Sequence, residues 1–220
     1  MKKTPIPLIV NPVAGRGRAR HSTASICSLL ADHGIAYELM HSNDTPWRYI
    51  DVGRMNDRYF ANGAGIGFDA KINCIASEIR LPIGQLKYLI AVFQGIWDGV
   101  ITPKVNLRYN NAVYDGAVTL VEVCNGESVG GMFRIAPGAK IDDGYLDLVY
   151  VGPVSRSRIL ALLPRLVKGS HFSAPEATHA RVTSIRLSAA GPVPSHLDGE
   201  IQPLGTKFNI DILPRALAIL

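Results

Sequence analysis

The spacing of apolar residues changes character part-way along this chain. Ile6–Val10 is a short apolar run with Pro7 near its start, where a strand tolerates proline. From Arg18 to His33 the residues Ile26, Leu29 and Leu30 recur at helical spacing, and Gly34 is a good stop. Ile35–Met40 reads as a second strand. Strand, helix and strand open an α/β layer, and phosphates usually sit on its first loop. After His41–Pro46 that rhythm stops. Two strands and one helix do not make a stable doubly wound sheet, which needs cover on both faces.

From Tyr49 the reading is mostly β. Strands are predicted at Tyr49–Val52, Arg58–Ala61, Lys104–Tyr109, Ala112–Tyr114, Ala117–Cys124, Tyr145–Val151, Arg181–Leu187 and Lys207–Leu213. Helices are predicted at Asp69–Ser77, Gly84–Trp97 and Ser155–Val167, the last with a kink at Pro164. Gly63–Gly67 reads as a flexible link and Gln202–Thr206 as a connector. The predicted class is α+β: an incomplete α/β nucleotide-binding domain over residues 1–47, then a β-sandwich-like domain over residues 48–220 whose last strands return to the first.

Composition narrows the partners. With 47% hydrophobic and 19% charged residues the chain can fill a core, so wholesale disorder is excluded. A net charge of +5 favours anionic partners: a nucleotide, a nucleic acid or an acidic lipid surface. Cys27, Cys74 and Cys124 are far apart and odd in number, which points to a reducing cytosolic setting. The apolar run Leu86–Trp97 is too short to span a membrane. It is either core or a face that meets a membrane interface.

Four stretches carry candidate chemistry. Asn11–Arg18, NPVAGRGR, is either a phosphate cradle, with Arg16 or Arg18 adding charge, or an ordinary basic turn. Gly63–Gly67 offers GxGxG without the rest of a dinucleotide fingerprint. Asp142-Asp143-Gly144 is a tight acidic turn before a strand: a seat for a hard cation or a plain hairpin device. Asp198 and Glu200 flank Gly199, so at least one carboxylate can face a cleft and accept a proton from an alcohol, unless the turn is only surface. The six histidines show no zinc spacing.

Taken in order, NPVAGRGRA, DVGRMNDRYFANGAGIGFDAKI, EVCNGESVGGMFRIAPGAKIDDGYLDLVYV and LDGEIQPLGTKFNIDILP resemble the diacylglycerol kinase catalytic family, with its sphingosine and ceramide kinase relatives. The resemblance implies an ATP-dependent lipid kinase that moves the γ-phosphoryl group to a lipid hydroxyl such as that of diacylglycerol, with Mg²⁺ as cofactor. It implies that Asn11, Pro12, Val13, Ala14, Gly15 and Ser42 meet the nucleotide. Lys140, Asp143 and Tyr145 then match a magnesium site, Asp143 through its carboxylate and the others through backbone oxygens. Glu200 is implied as the general base, with Asp198 beside it. The implied setting is cytoplasmic and peripheral at the inner membrane surface, with a lipid substrate there, no nucleic acid, and a homodimer left open.

The sequence departs from the family pattern at one junction. The GGDGT loop and the later PxGTxND segment, which hold ATP, are absent from their place between Pro46 and Arg48. Two or three βα units are missing, roughly 60–90 residues. Either the whole protein has residues there that this sequence omits, or the chain carries a deletion. The alternatives are a non-catalytic lipid-binding remnant, or a kinase of a soluble nucleotide such as NAD.

Overall fold

The computed structural model describes residues 6–10, 18–41, 48–79 and 86–219. The chain divides into two compact units, residues 1–49 with 218–220, and residues 50–217.

In the first unit, β1 (Ile6–Val10) pairs in parallel with β2 (Tyr37–His41), and α1 (Arg18–Asp32) connects them. The helix stops where Gly34 takes a positive φ of 63°. Ile6, Ile9, Ile26, Leu29 and Leu39 remain exposed. Among the described residues, a parallel pair and a helix leave apolar side chains exposed.

The second unit is built on a ten-stranded sheet. Its strands are β3 (Arg48–Met55), β4 (Arg58–Phe60), β5 (Gly63–Gly67), β6 (Lys104–Tyr109), β7 (Ala112–Ala117), β8 (Leu120–Cys124), β9 (Leu146–Val151), β10 (Ala177–Val182), β11 (Ser184–Leu197) and β12 (Glu200–Ile219). The order runs β10-β9-β8-β5-β11-β12-β3-β4, with β6 on β11 and β7 on β6. The pairings from β10 through β12 are antiparallel.

Alternation along β8 and β9 sorts the two faces. Val121, Val123, Leu146, Leu148 and Tyr150 enter one core with Leu107, Ile185 and Phe208. Cys124 and Val149 face the other way, into a second core with α2 (Phe68–Glu78) and α3 (Leu86–Asp98). Ile159, Leu163 and Leu166 of α4 (Arg156–Lys168) pack against this second core. Ser155 caps α4 through its hydroxyl, which accepts from Arg158 N, and Gly169 ends it at φ 70°.

Three expectations change. Gly63–Gly67 is no link: it is a fully buried strand between β8 and β11. Gln202–Thr206 is no connector but part of β12. The predicted strand Arg181–Leu187 is cut after Val182, and β11 then runs 14 residues with register shifts between Ser188 and Ser195. Those shifts let one strand serve two neighbours on its β5/β6 side: β6 on Ile185–Ala189 and β5 on Ser195–Leu197.

Leu107 has no solvent exposure and sits in the first core. Leu107→Ala is expected to lower stability by about 2–5 kcal/mol. Urea unfolding would read this as a lower midpoint with an unchanged slope.

Candidate functional site

Three strands place one row of residues side by side. Gly65 of β5 pairs with Glu122 of β8 on one side and His196 of β11 on the other. Gly65 has no side chain, so the flanking two reach across it. A Cβ there would lie 2.2 Å from His196 Nε2 and 2.4 Å from Glu122 Oε1. Position 65 is glycine because a side chain there would collide with both groups.

Asp69, in the first turn of α2, completes a cluster. His196 Nε2 is 2.5 Å from Asp69 Oδ2 and 3.5 Å from Glu122 Oε1. Asn73 donates to Asp69 Oδ2 at 3.2 Å. Glu122 and His196 are 0% and 1% exposed. Burial alone would lower the His196 pKa, but the bond to Asp69 and the two carboxylates push it up to about 11. Burial, then the Asp69 charge, raise Glu122 to about 8. Burial opposes the charge on Asp69 too, yet His196 holds its pKa below the usual value. Gly199 N lies 3.3 Å from His196 Nδ1, a contact only the neutral ring accepts. That length is at the weak end, and the two acids decide the charge. These three residues also have the make-up of a metal-ligand set.

The acidic turn Asp198–Glu200 follows directly. Asp198 has φ 51°, and its carboxylate accepts from Ala61 N at 2.8 Å, Asn62 N at 2.9 Å and Gly63 N at 2.8 Å. That makes Asp198 a clamp on the start of β5. Glu200 is exposed and lines an open groove with Arg58, Tyr59 and Gln202, where Arg58 donates to Gln202 Oε1 at 2.8 Å. Both acids line this groove; the Asp198 carboxylate is taken up by its three amides, whereas Glu200 is outside that clamp.

At the other acidic turn, the Asp143 carboxylate accepts from Tyr145 N at 3.1 Å and from Arg181, whose guanidinium also lies 4.3 Å from the Tyr145 ring centroid. The Asp143 carboxylate and the backbone oxygens of Lys140 and Tyr145 are the hard donors Mg²⁺ takes. Arg181 is about half exposed and Asp143 about a quarter, so solvent partly screens the pair. The residues therefore fit a hard cation.

A hydrogen-bond chain links the two turns. Buried Asp51 accepts from Gly144 N and Arg215 N, both at 2.7 Å. Asn125 donates to Asp51 O at 2.9 Å and to Ala61 O at 2.8 Å. Ala61 in turn donates to Asp198. Sequence reasoning missed Asp51, Asn125, Glu122 and His196. The signal was a lone polar residue inside or beside an apolar run: Ile50-Asp51-Val52, Val121-Glu122-Val123 and Cys124-Asn125.

Two apolar cavities of about 80 Å³ each share Phe68, Leu120, Ile159, Leu163 and Leu166; one lies between α2, α4 and the sheet, the other among α2, α3 and α4. Asp69 and Asn73 supply the polar end of one. Asn73 Oδ1 is 3.9 Å from where a Cβ on Gly199 would stand, so that end abuts the acidic turn. The expected nucleotide residues Asn11, Pro12, Val13, Ala14, Gly15 and Ser42 lie outside the described residues, as do Arg16 and the Pro46–Trp47 side of the junction.

Residues 63–220 match the model of the YegS C-terminal NAD kinase beta sandwich-like domain. A diacylglycerol kinase of Mycobacterium tuberculosis is 30% identical over 183 residues, covering 78% of this chain and 56% of that protein. A diacylglycerol kinase of Bacillus subtilis is 24% identical over 154 residues, covering 70% and 50%. This chain thus spans about half the length of the curated relatives it matches. A crystal structure of a diacylglycerol kinase from Bacillus anthracis str. Sterne has a TM-score of 0.55 at 19% identity, covering 99% of this chain and 97% of that one. That likeness shows the fold.

The cluster fixes a pH dependence. His196 is raised above its unfolded value, so its contribution is complete below about pH 6.5 and is lost as pH rises through about 11. Glu122 stays protonated in the fold up to about 8 while the unfolded chain ionises near 4.5, so stability also falls between those values. The urea midpoint should drop steadily from pH 5 to pH 10, and Glu122→Gln should flatten the part below pH 8. Gly65→Ala should destabilise by about 1–3 kcal/mol or more, read by thermal unfolding.

Proposed function

Since the chain belongs to the diacylglycerol kinase-like family, we propose that it acts in an ATP-dependent kinase which phosphorylates a lipid hydroxyl, diacylglycerol being the model acceptor. The observation that carries this is the apolar cavity whose polar end, Asp69 and Asn73, abuts the turn bearing Glu200. A water-soluble acceptor has no use for that lining, whereas an acyl chain does.

In this reading the acceptor lies with its chain among α2, α3 and α4 and its hydroxyl towards the acidic turn. The cavities have room for only a few methylene groups. A longer chain requires α4 to shift outward, and α4 has no fully buried residue to resist that. Glu200 takes the hydroxyl proton as the oxygen bonds to the γ-phosphorus of ATP and the bond from that phosphorus to the bridging oxygen breaks, so that ADP leaves with the bridging oxygen. Asp198 orients the turn through its three backbone partners rather than moving the proton. Arg58, in the same groove, is the cation nearest to hand for a phosphate oxygen. Lys140, Asp143 and Tyr145 would hold Mg²⁺, which supplies positive charge that steadies the site for phosphoryl transfer. Asn11–Gly15 and Ser42 are proposed to meet the nucleotide. The protein would work at the membrane surface, where its substrate resides.

Transfer of labelled γ-phosphate from Mg·ATP to diacylglycerol in mixed vesicles tests this. Activity is expected in the wild type, with a loss of about 10²–10⁴-fold in kcat for Glu200→Gln at unchanged fold. Asp198→Asn should lower thermal stability as well as activity, because it weakens a carboxylate that holds three amides. Saturable turnover of NAD without turnover of lipid, or folded protein that does not bind Mg·ATP, would overturn the reading.

A further inference from the structure

Glu122 has no part in the phosphoryl transfer proposed above. It lies on β8 with no solvent exposure, and among the described residues neither of its side-chain oxygens has a hydrogen-bond partner. A buried polar group in that position calls for something to occupy its lone pairs. Beside it stand a histidine and a second acid. One carboxylate oxygen of Glu122, one of Asp69 and a ring nitrogen of His196 lie within 4.8 Å of one another.

The three come from separate elements: Glu122 from β8, His196 from β11 and Asp69 from the first turn of α2. They meet over Gly65, where the bare backbone of β5 puts no side chain in competition with them. Bonds of about 2.0–2.2 Å to a four-coordinate ion place its ligand atoms roughly 3.4 Å apart. His196 Nε2 and Glu122 Oε1 already stand 3.5 Å apart. Asp69 Oδ2 is nearer, 2.5 Å from Nε2, and has the most freedom to draw back: 19% of its side chain is exposed, against 1% for His196 and 0% for Glu122.

Charge fits as well. With both acids ionised and the ring neutral, the set carries two negative charges, which one divalent cation cancels. In the metal-free chain, protons on His196 and Glu122 serve instead, and both leave as the ion binds. A ring bonded through Nε2 carries its remaining proton on Nδ1, so the 3.3 Å contact from Gly199 N is given up.

We propose that Asp69, Glu122 and His196 form a site for a divalent transition metal, Zn²⁺ or a close analogue, separate from the Mg²⁺ seat at Asp143. An imidazole with two carboxylates suits such an ion. Mg²⁺ demands an octahedron of oxygens and keeps several waters, which ligands this buried do not offer. Three protein ligands leave a fourth position. Asp69 and Asn73 border the cavity among α2, α3 and α4, so a water or the polar group of a bound molecule can take it. The ion ties α2 to β8 and β11. None of this rests on the kinase reading.

The test uses the full chain carrying Asp143→Asn, which weakens the other cation seat. It is stripped with a chelator and titrated with Co²⁺ and then Zn²⁺. One ion per chain is expected, with the intense visible absorption of four-coordinate Co²⁺ and without the near-ultraviolet band of a thiolate ligand. Zn²⁺ should displace Co²⁺ and raise the thermal midpoint, whereas excess Mg²⁺ should leave the spectrum unchanged. Glu122→Gln keeps the side chain's shape and should lower Co²⁺ affinity about 100-fold or more, at an unchanged far-ultraviolet dichroism spectrum. If that variant does not fold, Asp69→Asn, at the more open corner of the cluster, makes the same comparison. The proposal is overturned by a chain that takes up no ion, by Co²⁺ binding that survives these substitutions, or by displacement with Mg²⁺. A thiolate band would overturn it too, since it would put the ion on a cysteine such as Cys27 or Cys74. Because no turnover is read, failure here leaves the kinase reading standing, and loss of kinase activity leaves the metal site standing.

Discussion

A histidine cut off from water and held between two acids, Asp69 and Glu122, is the constraint on which the second unit turns. Burying His196 and Glu122, with Asp69 half-buried beside them, is costly unless each finds opposite charge or keeps its proton. Here Asp69 and His196 carry the opposite charges and Glu122 keeps its proton near neutrality. The arrangement dictates sequence around it. A glycine must stand between Glu122 and His196. Helix α2 must begin one residue before Asp69, and β5, β8 and β11 must keep register. Because His196 lies two residues from Asp198, the cluster also fixes where the acidic turn leaves the sheet.

The two acidic turns are then parts of one polar framework rather than separate features. Asp51, Asn125 and Ala61 run between them as a series of bonds of 2.7–2.9 Å. Backbone amides, not cations, satisfy both Asp51 and Asp198. Amides cannot swing away as a lysine can, so this framework sets geometry more firmly than surface ion pairs would. On the proposed function Glu200, exposed in the same groove, is the acid that takes the proton, while its neighbours hold the turn.

Much of the architecture was legible because period is a local property. The helices at Asp69–Ser77 and Ser155–Val167 and the strands at Lys104–Tyr109 and Tyr145–Val151 fall within a residue or two of α2, α4, β6 and β9. Gly63–Gly67 was misread since glycine has low strand propensity. Its strand exists because of what its neighbours bury, which no local window contains. Glu122, His196, Asp51 and Asn125 were passed over for a related reason. Each looks like a stray polar residue until strands distant in sequence bring its partner alongside. The acidic turns themselves were readable as motifs; that Asp198 clamps while Glu200 stands outside the clamp was not, because the three amides that distinguish them lie over a hundred residues upstream.

The long bent strand β11 has a consequence for how the protein is made. β5, β8 and β9 emerge from the ribosome well before Ser184–Leu197, and one side of β5 has no partner until that strand arrives. A growing chain therefore exposes an unpaired edge of β5 until β11 has been made, open to joining the same edge on a neighbouring nascent chain. Closure late in translation makes yield sensitive to ribosome spacing and to chaperone capacity, even where the finished protein is stable.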